Sequence, residues 1–232
     1  MKRYRNEWKY CCSEEQLVML SQRIGRMIEP DPHGDAEGKY SVHSLYFDDL
    51  TNSSAYGNES GLGHRFKYRV RYYGNEPDKL FLERKEKLYG RCHKDQCRIT
   101  TEEYEALFSG DVSDLLYGER DPLLKRFAAC VLTRLYRPKV IIDYERTAYS
   151  DPVTGVRITF DKNISASSAA EYFREGGYIS VPLQQKSHHL LEVKFDDILP
   201  GYIKNAVSSN EFQQTTFSKY YLGRLSLEES NI

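Results

Sequence analysis

The stretch HRFKYRVRYYG, residues 64–74, sets three cations at alternate positions. In an extended strand alternate side chains share a face, so Lys67, Arg69 and Arg71 form one row and Phe66, Tyr68, Val70 and Tyr72 the other. The second row can pack on a core. The first repels itself unless something anionic lies against it.

The pattern recurs along the chain. Glu83, Lys85 and Lys87 alternate with Leu80, Leu82 and Leu88; Arg157, Thr159 and Asp161 alternate with Val156, Ile158 and Phe160. Glu192 and Lys194 alternate with Leu191, Val193 and Phe195, while Glu7 shares a parity with Lys9 and Tyr144 with Arg146. An antiparallel sheet with one solvated face would also alternate. Here, however, the charged rows are mostly cationic although the net charge is only −1, so positive charge is segregated and not in excess. If these rows face inward in a closed sheet, they line a cationic tunnel. Dry and empty, such an interior would be very costly. Filled with water and a polyanion it is sound: arginine forks match phosphate oxygens, lysines add compact charge, and the few carboxylates can hold a divalent metal through oxygen.

Eight segments carry strand patterns: one at NEWKYC, one at YSVHSLYFDD, three over 65–73, 79–89 and 91–99, two at KVIIDYERTAY and GVRITFDKN, and one at HHLLEVKFDD. Helical spacing marks SEEQLVMLSQRIGRMIE, with Ser13 and Gln16 placed as a capping box, and much of 101–136, where Asp121-Pro122 opens a helix. The end is helical at PGYIKNAVSS and FSKYYLGRLSLEE; LTNSSAYGNESGLG and 163–187 read as polar connections. The expected architecture is α+β: an antiparallel eight-stranded β-barrel tunnel with flanking helices, in a single domain over residues 1–232.

Hydrophobic residues make up 40% of the 232, enough for a core, and no apolar run reaches the ~20 residues of a membrane-spanning helix. The basic N-terminus MKRYRNEWKYCC lacks a secretory apolar stretch, and five cysteines, two adjacent, make a poor disulfide framework. A soluble, cytoplasmic protein is expected. Cys92, His93 and Cys97 lack the second half of a zinc site, and His188-His189 reads as loop. The 19 tyrosines are expected mostly on outer faces with a hydrogen-bonding tip.

In these residues the chain resembles the polyphosphate polymerase (VTC) domain, a branch of the triphosphate tunnel metalloenzyme, or CYTH-like, fold. The resemblance rests on NEWKY, SLYFDD, KYRVRYYG, LERKEK, RPKVIIDYERTAY, VRITFD, LLEVKF and FSKYYLG in order. It implies phosphate-binding roles for Lys9, Arg69, Arg71, Lys85, Arg98, Arg146, Arg157 and Lys219, with Glu192 holding manganese or magnesium; Lys67 and Lys194 share the basic rows and stand outside this set as supporting charge. It also implies the activity: ATP gives its terminal phosphate to a growing polyphosphate chain inside the tunnel. ATP and inorganic polyphosphate are then the partners, no nucleic acid is, and a membrane protein could receive the polymer.

Two positions depart from the pattern. Tunnel enzymes begin with E-x-E-x-K, whereas here Arg5 precedes Glu7 and Lys9, which favours transfer over hydrolysis; Thr216 stands where relatives carry a further lysine. Alternatives stay open at this stage: a tripolyphosphatase or nucleoside triphosphatase of the same fold, a non-catalytic polyphosphate-binding module, or an RNA binder, which the near-neutral net charge disfavours. Arg98 and Arg146 could instead pair with Glu102 or Asp143, and Lys219 could be a solvated surface lysine.

Overall fold

The computed structural model describes residues 2–207 and 212–230. The chain begins with β1 (Asn6–Ser13), α1 (Glu14–Gly25), β2 (Lys39–Asp48), α2 (Ser53–Glu59), β3 (His64–Tyr73), β4 (Leu80–Leu88) and β5 (Arg91–Ile99). It continues through α3 (Thr101–Ser109), α4 (Pro122–Thr133), β6 (Arg137–Ser150), β7 (Arg157–Ser167), β8 (Val181–Pro182), β9 (His188–Phe195), α5 (Gly201–Val207), β10 (Gln213–Gln214) and α6 (Lys219–Ser230). All eight expected strands form. α2 and β8 arise where polar connections were expected, and both histidines of His188-His189 lie in β9. No described helix is long and apolar enough to cross a membrane.

Local chemistry explains the boundaries. Ser13 caps α1 in a full capping box: the Gln16 N–H donates to Ser13 Oγ at 3.3 Å, and the Ser13 N–H donates to Gln16 Oε1 at 2.9 Å. Thr100 and Glu103 repeat the device at α3, which ends on Gly110 at φ 91°, a conformation glycine takes without a Cβ penalty. Asp121 caps α4, where Pro122 needs no hydrogen bond of its own.

The strands pair antiparallel in the order β10-β1-β9-β7-β6-β2-β3-β4-β5, with β8 beside β7. The barrel is not closed by a continuous ladder. Between β1 and β5, the ends of the eight long strands, one bridge joins Arg5, just before β1, to Cys92, and their backbones exchange two 2.8 Å hydrogen bonds. Farther along, Tyr10 and Cys11 pair instead with β10. β1 thus divides its free edge between β5 and β10.

The apolar parity of the strands faces outward, under helices. α3 and α4 cover one side, where Val70, Leu82, Leu107 and Phe127 share a cluster. α1 and α5 cover the other, with Leu20, Ile24, Ile158, Val193 and Ile203. The inner face is divided. Val42, Val140, Ile142, Ala166 and Leu190 pack with Tyr220 and Leu227 of α6, so this last helix sits inside the curved sheet. Hence Val140, Ile141 and Ile142 are all fully buried, an unbroken run where alternation would otherwise appear. Gly223 makes the approach close: a Cβ there would lie 2.5 Å from Ile142 Cδ1 and 3.3 Å from Ala166 Cβ. Gly223→Val should therefore cost ~1–3 kcal/mol by overpacking, read as a lower urea midpoint with an unchanged slope.

Candidate functional site

The rest of the inner face, left uncovered by α6, surrounds a cavity of about 1090 Å³. Its lining carries fifteen lysine and arginine side chains against three glutamates, so an anion is its natural occupant. Ten of the eleven residues singled out from the sequence line it: Lys9, Lys67, Arg69, Arg71, Lys85, Arg146, Arg157, Glu192, Lys194 and Lys219. Arg98 does not. It lies opposite Phe81 near the end of β5, exposed, in a separate shallow pocket with Asp78, Thr100 and Glu102. It has the inward parity of Lys94 and Gln96, and its partner Phe81 lines the cavity, but Arg98 itself is exposed and outside the lining; parity gives the face of a residue and not where its side chain ends.

The cations are not left to repel one another. Each group converges on a buried carboxylate. Glu83, fully buried, accepts from Arg69 Nε at 2.7 Å and Lys94 Nζ at 2.9 Å and lies 3.7 Å from Arg71 Nη1. Tyrosine and serine hydroxyls fix the other guanidinium edges: Arg69 donates to Tyr46 Oη at 2.7 Å, and Arg71 to Ser44 Oγ at 2.9 Å and Tyr144 Oη at 3.0 Å. Asp161 is gripped bidentately by Arg146 at 2.6 and 2.8 Å and by Lys219 Nζ at 2.6 Å. Arg146 thus pairs with Asp161, not Asp143, and Lys219 is buried at the start of α6 and not a surface lysine. Arg157 pairs with buried Asp31 and donates to Tyr40 Oη at 2.9 Å.

The fourth group joins two carboxylates. Lys85 Nζ donates to both oxygens of Glu7 at 2.7 and 2.9 Å. Lys194 lies 2.5 Å from Glu192 and 3.6 Å from Glu7, and Lys9 lies 3.5 and 3.9 Å from the same two. Cross-strand register produces this: Lys9 faces Glu192 and Glu7 faces Lys194 on β1 and β9. Burial and the Glu192 charge push the Glu7 pKa up, but Lys85, Lys9 and Lys194 outweigh them and hold it at about 2. Burial likewise works against ionisation of Glu192, Glu83 and Asp161, and their cationic neighbours hold all three below the ordinary carboxylate range.

Among the described residues no three carboxylate, imidazole or thiol side chains cluster as a metal cage. Glu7 and Glu192 are donors of the type a magnesium-like ion takes, one or two carboxylates with phosphate oxygens and water completing its sphere, and here Lys85, Lys9 and Lys194 hold both of them. Sequence reading had named only Glu192 for this role. Face parity could also have marked Glu7, Glu83 and Asp161, which share rows with Lys9, Lys85 and Arg157. Asp31 comes from the loop EPDPHG and left no such signal. Several tyrosines reverse the outer-face expectation: Tyr40, Tyr46, Tyr73 and Tyr144 all line the cavity. Arg5 lines it too, 3.2 Å from Asp196, and exposed Thr216 lies in its wall.

Two titrations should be visible. The buried carboxylates are ionised in the folded state and have depressed pKa values. Their stabilisation is therefore complete above the unfolded value, 4.5 for glutamate, and is lost as pH falls toward about 2. The urea midpoint of the ligand-free protein should hold steady above about pH 5 and drop below it, with a shallower acid drop in Glu7→Gln. Lys67, which donates to Ser218 Oγ at 2.9 Å, behaves oppositely: burial, then Lys85, Lys9 and Arg65, push its pKa down to about 7. Its charge is lost as pH rises through neutrality. Tripolyphosphate affinity of the wild type should fall relative to Lys67→Arg, by titration calorimetry, between about pH 6 and pH 8.5.

Residues 4–228 match the VTC domain family. No curated protein matches the chain by sequence. Among solved structures, the Hippeastrum protein HpAC1, described as an adenylyl cyclase candidate with a dominant triphosphatase activity, superposes with a TM-score of 0.58 at 16% identity, covering 96% of each chain. That likeness is one of fold. The PH1819 protein of Pyrococcus horikoshii OT3 gives a TM-score of 0.46 at 11% identity over 97% of this chain and 98% of its own. A Bacillus halodurans protein described as an adenylate cyclase candidate gives 0.47 at 10% over 99% and 90%.

Proposed function

Since the chain belongs to the VTC domain family, we propose that it is a polyphosphate polymerase that moves the γ-phosphate of ATP onto inorganic polyphosphate. The observation that carries this reading is the cavity itself, a cationic interior whose side chains are already oriented by buried carboxylates. Phosphoryl transfer requires positioning and charge neutralisation more than covalent chemistry from the protein.

Arg69, Arg71, Lys85 and Arg157 take the triphosphate. Lys9, Arg146 and Lys219 hold the end of the acceptor chain, and Lys67 and Lys194 add supporting charge. A terminal phosphate oxygen of the acceptor attacks the γ-phosphorus, the bond to the β-bridging oxygen breaks, and ADP leaves with that oxygen's charge. The attacking oxygen is already anionic at neutral pH, so no general base is required. Glu192 with Glu7 would hold a Mn²⁺ or Mg²⁺, which would supply further neutralisation of phosphate charge. Arg98, outside the cavity, has no part in this assignment. Arg5, where tunnel hydrolases place a carboxylate, faces Asp196 and supports transfer over water attack.

Purified protein incubated with ATP and Mn²⁺ should yield a polyphosphate ladder on a gel with little free phosphate. Arg69→Ala or Glu192→Ala should lower the rate by roughly 10²–10³, as losing one preorganised charge partner does elsewhere. Free phosphate without polymer would make the protein a triphosphate hydrolase. Tripolyphosphate binding with neither product would make it a binding module.

A further inference from the structure

Elongation adds to a phosphate that is already there, and the first transfer has none to add to. Before a chain exists, the acceptor has to be a free phosphate or a hydroxyl. One hydroxyl of the protein stands where the acceptor end belongs. Ser218, between β10 and α6, is half-buried and lines the cavity. Cations assigned to the acceptor bracket it. Lys9 donates to the carbonyl of Phe217, the residue before it, at 2.8 Å, and Lys219, the residue after it, is held by Asp161 at 2.6 Å.

A serine hydroxyl is a weak nucleophile until a base lies within hydrogen-bond reach. Lys67 Nζ lies 2.9 Å from Ser218 Oγ, and Lys67 is the neighbour of Arg69 in the inner row of β3. The contact therefore joins the acceptor side of the cavity to the row that takes the triphosphate. Its surroundings favour the neutral amine. Loss of solvent comes first, then the positive charges of Lys85 on β4, Lys9 on β1 and Arg65 on its own strand, while Asp48 of β2 acts the other way. From α6 it meets the Tyr220 ring at 5.2 Å. The balance leaves its pKa at about 7.

Ser218 also caps α6: its Oγ accepts from the Tyr221 N–H at 3.3 Å and its carbonyl from the Leu222 N–H at 3.0 Å. The cap uses the oxygen as an acceptor and leaves the O–H hydrogen for Lys67. A phosphate on this oxygen would also suit the place, at a helix N-terminus beside Lys9, Lys67 and Lys219.

From this placement, and resting on the polymerase reading, we propose that Ser218 is the first phosphate acceptor, with Lys67 as its general base. Ser218 Oγ forms a bond to the γ-phosphorus of ATP, and the bond from that phosphorus to the β-bridging oxygen breaks. ADP leaves with the electron pair, and the hydroxyl proton passes to Lys67 Nζ. The new ammonium pairs with the phosphoserine, whose anionic oxygens receive the next γ-phosphate without a base.

The test incubates the protein with γ-radiolabelled ATP and Mn²⁺, without added polyphosphate. Denatured wild type should carry label that survives acid, is lost in alkali and maps to the peptide holding Ser218. Ser218→Asn, which keeps the cap, should fold with a wild-type urea midpoint and take no label; Ser218→Thr should keep it. Lys67→Arg keeps the charge but cannot accept a proton. It should label roughly 10²–10⁴ more slowly while still binding tripolyphosphate at pH 6. Labelling of the wild type should rise about tenfold from pH 6 to pH 8 and stay flat in Lys67→Arg. Ser218→Asn should make polymer only when short polyphosphate is supplied. Unlabelled wild type, label on another residue, full labelling in Lys67→Arg, or a Ser218→Asn defect that short polyphosphate does not relieve would overturn the proposal. Polymer formed without phosphoserine would leave the polymerase standing and remove the acceptor. Phosphorylated Ser218 with no polymer would do the reverse.

Discussion

The constraint on which the structure turns is the repulsion of like charges inside a folded chain. Unpaired lysines and arginines in a protein interior are strongly unfavourable, and removing one partner of a buried pair typically costs ~3–5 kcal/mol. This chain meets the difficulty with a small number of buried carboxylates, each shared among several cations. Glu83 serves Arg69, Arg71 and Lys94; Asp161 serves Arg146 and Lys219; Glu7 and Glu192 serve Lys9, Lys85 and Lys194. Sharing lowers the repulsion enough for the interior to hold together while leaving it strongly positive.

The same anchors orient the site. A guanidinium held by a carboxylate and a tyrosine hydroxyl does not need to reorganise when an anion arrives, which is the condition under which fixed charges contribute most to a reaction. Asp161 has a further part, because Lys219 is the first residue of α6. This ion pair fastens the helix that fills one side of the interior to the strand wall that remains open to ligand. The packed and the reactive parts of the inner face therefore share an anchor.

The open seam belongs to the same arrangement. Arg5, just before β1, bridges to β5, Tyr10 and Cys11 of β1 pair with β10, and the residues after β10 run into the cavity wall before α6 begins. Lys9 donates to the Phe217 carbonyl at 2.8 Å, so this segment is held by a cation of the site. A continuous ladder between β1 and β5 would have no place for it.

Much of this was legible in the sequence because a strand has a period of two and nothing else is needed to assign a side chain to a face. KYRVR, LERKEK and LLEVKF declared their cationic rows, and Ser13 and Asp121 declared two helix starts. Depth and partnership were not legible. Arg98 has the right parity and pairs with Phe81 of the lining, yet its exposed side chain lies in a separate shallow pocket with Asp78 and Glu102, because β5 is the last strand of the path and its end is open to solvent. Asp31 reaches Arg157 from a loop 126 positions away in sequence. The inward tyrosines and the apolar half of the interior depend on where α6 enters. Local sequence fixes periodicity and caps through nearest-neighbour geometry, whereas long-range register and helix docking bring distant charges within a few ångströms, and only the folded chain decides those.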